Sequence, residues 1–194
     1  MGGKTSAYMP ILLKSCAITE EEIIGHTVKR IEANDPVATR YMGTIRYHGG
    51  DYEAAFEYWT KASNLGDVEA HYQLSRLYHN GEGVEKDEKK ELHHTEQAAI
   101  GGHSYARHNL GCMEGSNGRM DKAAKHWIIA AKLGYDDSLG NVKNLYKGGY
   151  VSTDDYAAAL RGHKAAIDAM KSPQREEAAA YKKWLAERER KESE

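Results

Sequence analysis

One helical pattern recurs along this chain at a nearly constant interval, and that recurrence restricts the possible folds more than any other feature. Aligned on a small residue, the copies carry Ala38, Ala70, Ala106 and Ser138, and they begin at Asn34, Gly66, Gly102 and Gly134. Successive starts lie 32, 36 and 32 residues apart. Four positions after each small residue stands an apolar one: Met42, Leu74, Leu110 and Val142. Each copy closes on small residues, at Ala62-Ser63, Ala98-Ala99, Ala130-Ala131 and Ala165-Ala166. A period in the thirties with two helical halves per copy predicts stacked helical hairpins, because one hairpin cannot bury its apolar face without a neighbour.

The copy at 66–101 displays the pattern most fully. Ala70, Leu74, Leu77 and Tyr78 form the stripe of an amphipathic helix. Asn80-Gly81-Glu82-Gly83-Val84 is too rich in glycine to continue it, so the chain must turn there. Ala98 and Ala99 then let a second helix pack closely on the first. Turns at Gly49-Gly50, Asn117-Gly118 and Gly148-Gly149 divide the other copies in the same way.

These residues resemble the Sel1-like repeat, a relative of the tetratricopeptide repeat. The match runs from Ala70 through Gly81, Gly83, Val84 and Asp87 to Ala98, Ala99 and Gly102. The first and third copies, at 50–62 and 117–124, look like ordinary tetratricopeptide second helices. The second departs from the pattern at Glu91 and His94, and the fourth at Ser138 and Gly162. The resemblance implies an all-α fold, an α-solenoid of helix-turn-helix repeats with flanking helices at both ends. Its expected organisation is a disordered leader over 1–18, a capping helix over 19–33, repeats at 34–65, 66–101, 102–133 and 134–171, and a C-terminal capping helix over 172–194. Thr19 with Glu22 reads as the capping box of the first flanking helix. Ser172-Pro173 opens the last one, which carries Ala178, Tyr181, Trp184 and Leu185 on one side.

Charge and composition remove several functions. A formal net charge of −2 offers no basic field for a polyanion, which argues against nucleic-acid binding. Two cysteines, Cys16 and Cys112, make no disulfide framework and point to a reducing compartment, hence an intracellular and cytoplasmic location. No apolar run reaches membrane-spanning length. Met1-Gly2-Gly3-Lys4-Thr5-Ser6 fits the N-myristoylation pattern at Gly2, though one acyl chain without a basic patch anchors only marginally.

No grouping of residues suits catalysis or a cofactor. Seven of the 10 histidines, His71, His79, His93, His94, His103, His108 and His126, gather in the middle copies, but His93 and His94 point apart on a helix, and His71 with His79 lacks a third ligand. No metal site and no enzyme activity are expected. The chain therefore reads as a protein-interaction scaffold holding a peptide or partner helix. In tetratricopeptide-like solenoids the first helix of each repeat lines the groove. With Ala70, Leu74, Leu77 and Tyr78 turned to the core, Glu69, Tyr72, Gln73, Arg76, His79 and Asn80 face it. The same offsets select Arg40, Tyr41, Thr44, Tyr47 and His48 in the first copy, and Tyr105, His108, Asn109 and Cys112 in the third. This set is rich in tyrosine, arginine, histidine and amides and poor in lysine, the composition of protein contacts rather than of a merely solvated face. The resemblance implies one alternative, the substrate-recruiting module of a RING-type ubiquitin ligase. The lone Cys16, without any Cys-x-x-Cys, argues against an intact zinc domain in this chain.

Overall fold

The computed structural model describes residues 20–171, which hold nine helices and no strand. In order these are α1 (Glu20–Glu32), α2 (Pro36–His48), α3 (Tyr52–Asn64), α4 (Val68–Asn80), α5 (Glu88–Ile100), α6 (Ser104–Ser116), α7 (Met120–Lys132), α8 (Asp136–Lys147) and α9 (Thr153–Met170). The leader with Gly2 and Cys16, the Thr19 cap and the helix expected over 172–194 lie outside the described residues.

Local chemistry sets the helix starts. Asp35 caps α2, its carboxylate accepting from the N–H groups of Val37 and Ala38 at 2.9 and 3.1 Å, with Pro36 at the first position. Asp51 caps α3 through Ala54 N, and Asp67 caps α4 through Ala70 N at 2.7 Å. At α6 the acceptor is His103 Nδ1, 3.1 Å from Ala106 N. Ser152 Oγ accepts from Asp155 N at the head of α9. Helix α4 ends on Gly81 in the left-handed region, at φ 75°, with its N–H bonded to Leu77 O.

The described residues divide into two compact units, one up to Glu91 and one from Leu92. In the first, Ala55, Trp59, Ala62, Ala70, Leu74 and Leu77 form the buried core, with Tyr47, Phe56 and Val84 packed against it. The expected stripe of α4 is thus the core of this unit. In the second, Ala123, Ala124, Trp127, Ala131, Val142, Val151 and Ala159 fill the centre. Both cores depend on one indole wedged against a helix that has no side chain in its way. A Cβ on Gly43 would stand 2.6 Å from Trp59 Cδ1, and one on Gly111 would stand 2.5 Å from Trp127 Nε1.

Candidate partner-binding site

Tyr47 is the centre of the candidate site in the first unit. Its ring lies 5.4 Å from Trp59 and 5.2 Å from Tyr52, so the core and α3 hold it in place. Its hydroxyl donates to Glu82 at 3.0 Å. Burial, and then this bond to a carboxylate, push the phenol above its ordinary pKa, so it stays a donor. Arg76 lies over the ring at 5.7 Å, a contact worth about 0.5–1 kcal/mol when partly exposed. From there a chain of bonds runs up α4: Arg76 Nη1 donates to Gln73 Oε1 at 3.0 Å, and Gln73 Nε2 donates to Glu69 at 2.6 Å. Asn80 also donates to Glu82, at 3.2 Å.

The sequence-selected residues of this unit therefore divide by how they are held. Tyr47, Glu69, Gln73, Arg76 and Asn80 belong to one network. Arg40 Nε reaches Asp67 at 3.1 Å, the same aspartate that caps α4, and Thr44 turns its hydroxyl onto Arg40 O. His48 packs its ring edgewise on Tyr47 at 5.8 Å. His79 Nδ1 lies 3.0 Å from Glu91, and Tyr72 is half-buried among partners of its own. Tyr41 is left presenting its ring to solvent, 44% exposed.

Sequence reasoning passed over Glu82 and Asp67, the two acids that organise this face. Glu82 sits in the turn after α4, and its return depends on Gly83. The Cα of Gly83 has φ 68°, and a Cβ there would meet Tyr52 C and O at 2.6 and 2.7 Å. The second glycine of Gly81-Glu82-Gly83 was the available signal: it marks a turn pressed against other backbone, and so a glutamate brought back to the fold.

In the second unit, Tyr105 meets Tyr135 edge-on at 5.3 Å, and His108 lies 4.8 Å from the same ring. His108 Nδ1 is 2.8 Å from the hydroxyl of fully buried Ser138, and its Nε2 is 3.4 Å from Cys112 Sγ. Asn109 is half-buried. Tyr135 donates to Asp137; burial first and that bond second push its phenol up to about 12. Burial lowers the pKa of His108, which disfavours an imidazolium beside the Cys112 thiol. Among the described residues no three of His, Cys, Asp and Glu converge as metal ligands, and no helix is long and apolar enough to cross a membrane.

Helical hairpins of near-constant length, small residues at each packing point and glycine turns define a helical-repeat protein. Three consecutive Sel1 repeats match the chain, at residues 36–67, 68–103 and 104–135, and the chain belongs to the Sel1 repeat family. Among solved structures it is similar to a Sel1 repeat protein from Oxalobacter formigenes, with a TM-score of 0.60 and 24% identity over 75% of this chain and 62% of that one. It is also similar to a protective antigen of uropathogenic Escherichia coli with an SLR fold, with a TM-score of 0.57 and 22% identity over 77% of this chain and 33% of the other. Among curated proteins it resembles DAP3-binding cell death enhancer 1 of Rattus norvegicus, 31% identical over 40% of this chain and 15% of the relative. Chitin synthase regulatory factor 4 of Schizosaccharomyces pombe is 28% identical over 42% of this chain and 13% of the relative. The chain thus spans less than a fifth of the length of these curated relatives. Repeats of this family imply a scaffold for protein–protein interaction.

Proposed function

We propose that the chain binds a peptide or a helix of a protein partner on the faces of its first helices, and that it works by binding rather than by chemistry of its own. The observation that carries this reading is the Tyr47–Arg76 network. It offers an aromatic face, a guanidinium and amide groups, partly exposed and already fixed by Glu82, Gln73 and Trp59. Side chains held in place before contact lose little entropy on binding, and tyrosine and arginine dominate interface energetics. Glu69 and Asn80 belong to the network, Arg40, Tyr41, Thr44, His48, Tyr72 and His79 surround it on the first unit, and Tyr105, His108 and Asn109 offer a similar patch on the second. Two relatives are named for binding or regulating another protein, which agrees with a partner-binding role.

A free exposed thiol at Cys112 suits a reducing, intracellular setting, and the net charge of −2 suits a protein partner better than a nucleic acid. The alternative of a RING-type ligase module rests on the family resemblance alone, and Cys16 lies outside the described residues.

Affinity capture with the intact chain, quantified against variants, tests the proposal. Tyr72→Ala with Arg76→Ala should weaken capture more than tenfold, about 1.4 kcal/mol, while far-UV circular dichroism stays unchanged. Unaltered capture by that double variant, with loss on altering exposed positions of the second helices, would move the site to the other face.

A further inference from the structure

Away from the first-helix faces, the second unit holds a cleft of about 470 Å³ between the 92–100 part of α5, α6 and α7. Two of its polar groups lack partners. Arg107 of α6 gives Nη2 to Ala99 O at 2.6 Å but leaves Nε buried with nothing to donate to. His126 of α7 leaves Nδ1 buried in the same condition. A guanidinium N–H shut away from water without an acceptor is costly, so Arg107 Nε calls for an acceptor oxygen that neither Glu96 nor Glu114, both in the lining, supplies. The other cation of the lining, Arg119, is already taken by an ion pair with Glu114. Glu96 sits exposed on α5 and reaches neither Arg107 Nε nor His126 Nδ1 by a hydrogen bond.

The rest of the lining is apolar and partly uncovered. Leu92 and Ile100 bracket Glu96 along α5, and Ile100 is 73% exposed. Beyond His126 the apolar surface continues with Ile129 on α7 and Leu133 at its C-cap, 41% and 42% exposed. Residues three or four apart share a helix face, so these two extend the cleft rather than close it. An occupant therefore runs through the cleft with apolar side chains on either side, and does not end in it.

We infer that this cleft is a second docking site, for a partner segment that sets an acidic side chain between Arg107 Nε and His126 Nδ1 and rests flanking aliphatic side chains on Leu92 and Ile100. A carboxylate supplies two acceptor oxygens for the two spare groups, and its charge answers Arg107. The occupant also changes the titration of His126. Burial, and then the charge of Arg107, hold this imidazole below its ordinary pKa, against the smaller opposing pulls of Glu114 and Glu96. A bound carboxylate favours the imidazolium, so the His126 pKa rises on binding and binding tightens as pH falls.

The test uses the full chain, isotopically labelled for nuclear magnetic resonance, and the capped peptide Ac-Gly-Leu-Glu-Leu-Gly-NH2. The expected result is saturable shifts at Arg107, His126, Leu92 and Ile100, a rise in the His126 pKa, and about tenfold weaker binding when glutamine replaces glutamate in the peptide. His126→Phe keeps the bulk, removes Nδ1 and weakens the glutamate peptide but not the glutamine one. Should Arg107→Met fail to fold, since Arg107 also holds Ala99, the peptide pair and His126→Phe still decide the matter. Equal affinity for the two peptides, or shifts only at Tyr47 and Arg76, would overturn the site. Binding confined to Ac-Gly-Leu-Gln-Leu-OH, with its free C-terminal carboxylate, would show a chain end in place of an acidic side chain and would overturn the stated occupant.

Discussion

Gly43→Ala is a small change that the fold should resist. The added methyl would stand 2.6 Å from Cδ1 and Nε1 of Trp59, about 1 Å inside a comfortable contact of roughly 3.5–4.0 Å. Trp59 has little room to yield: it is 1% exposed, its indole N–H is bonded to Arg40 O at 3.2 Å, and Tyr47 packs beside it. Overpacking of this kind costs about 1–3 kcal/mol, while alanine returns about 1 kcal/mol of helix propensity over glycine. The net expectation is a loss of about 1 kcal/mol. Gly140 in α8 is the internal control, since nothing lies within 4 Å of a Cβ built there. Gly140→Ala keeps the propensity gain without the collision and should stabilise by about 0.5–1 kcal/mol. The two variants should thus separate by about 2 kcal/mol, roughly 4–8 °C in Tm for a chain of this size. Urea and thermal unfolding followed by far-UV circular dichroism measure this, compared at the midpoints because repeat proteins often unfold in more than one step. Adding Trp59→Leu makes room for the methyl, so the double variant should cost less than the sum of its parts. If Gly43→Ala stabilises as much as Gly140→Ala, the wedge between indole and helix does not limit packing, and the reasoning fails.

Further expectations follow from burial and charge. Leu74→Ala removes a side chain that is 1% exposed at the centre of the first core and should cost about 2–5 kcal/mol in chemical denaturation. Gly83→Ala should displace the turn that carries Glu82, lowering Tm and lowering the Tyr47 phenol pKa towards its ordinary value, which ultraviolet titration reads. His108 and His126 have pKa values lowered in the fold by burial, so the unfolded chain binds more protons; the stability they contribute is present above about pH 6.5 and is lost as pH falls below it. Replacing both by glutamine should flatten the fall in Tm between about pH 7 and pH 5. Asp35, lowered chiefly by its bond to Ala38 N and then by Arg30, acts further down: its contribution is present above about pH 4 and fades below it, and Asp35→Asn should shrink that acid-side loss.

Much of this architecture could be read from the residues because the signals were local. Ala70, Leu74 and Leu77 sit at helical spacing, Asp35-Pro36 announces a helix start, and Gly81 announces a stop; each acts within a few residues of itself. What escaped was set by contacts across hairpins. Three of the departures from the repeat pattern turn out to be contacts between helices. Ser138 replaces the usual alanine and meets His108, thirty residues earlier in the chain. Glu91 replaces a commoner alanine and meets His79. Gly162 stands where a Cβ would lie 2.6 Å from Lys132 Cγ and 3.3 Å from its Cα, so α9 approaches α7 closely there. The candidate site was traced by periodicity as far as Tyr47, Gln73, Arg76 and Asn80. Its organising acids, Glu82 and Asp67, lie in a turn and a cap where periodicity is silent. His126 owes its interest to a cleft that exists only once three helices have come together.

Hydrogen–deuterium exchange on the chain, alone and with its captured partner, asks directly whether the first helices bind. The proposal predicts slowed exchange on α2 and α4, centred on the turns carrying Tyr47, Gln73 and Arg76, with α3 little changed. Protection confined to α3, with α2 and α4 exchanging as in the free chain, would contradict it.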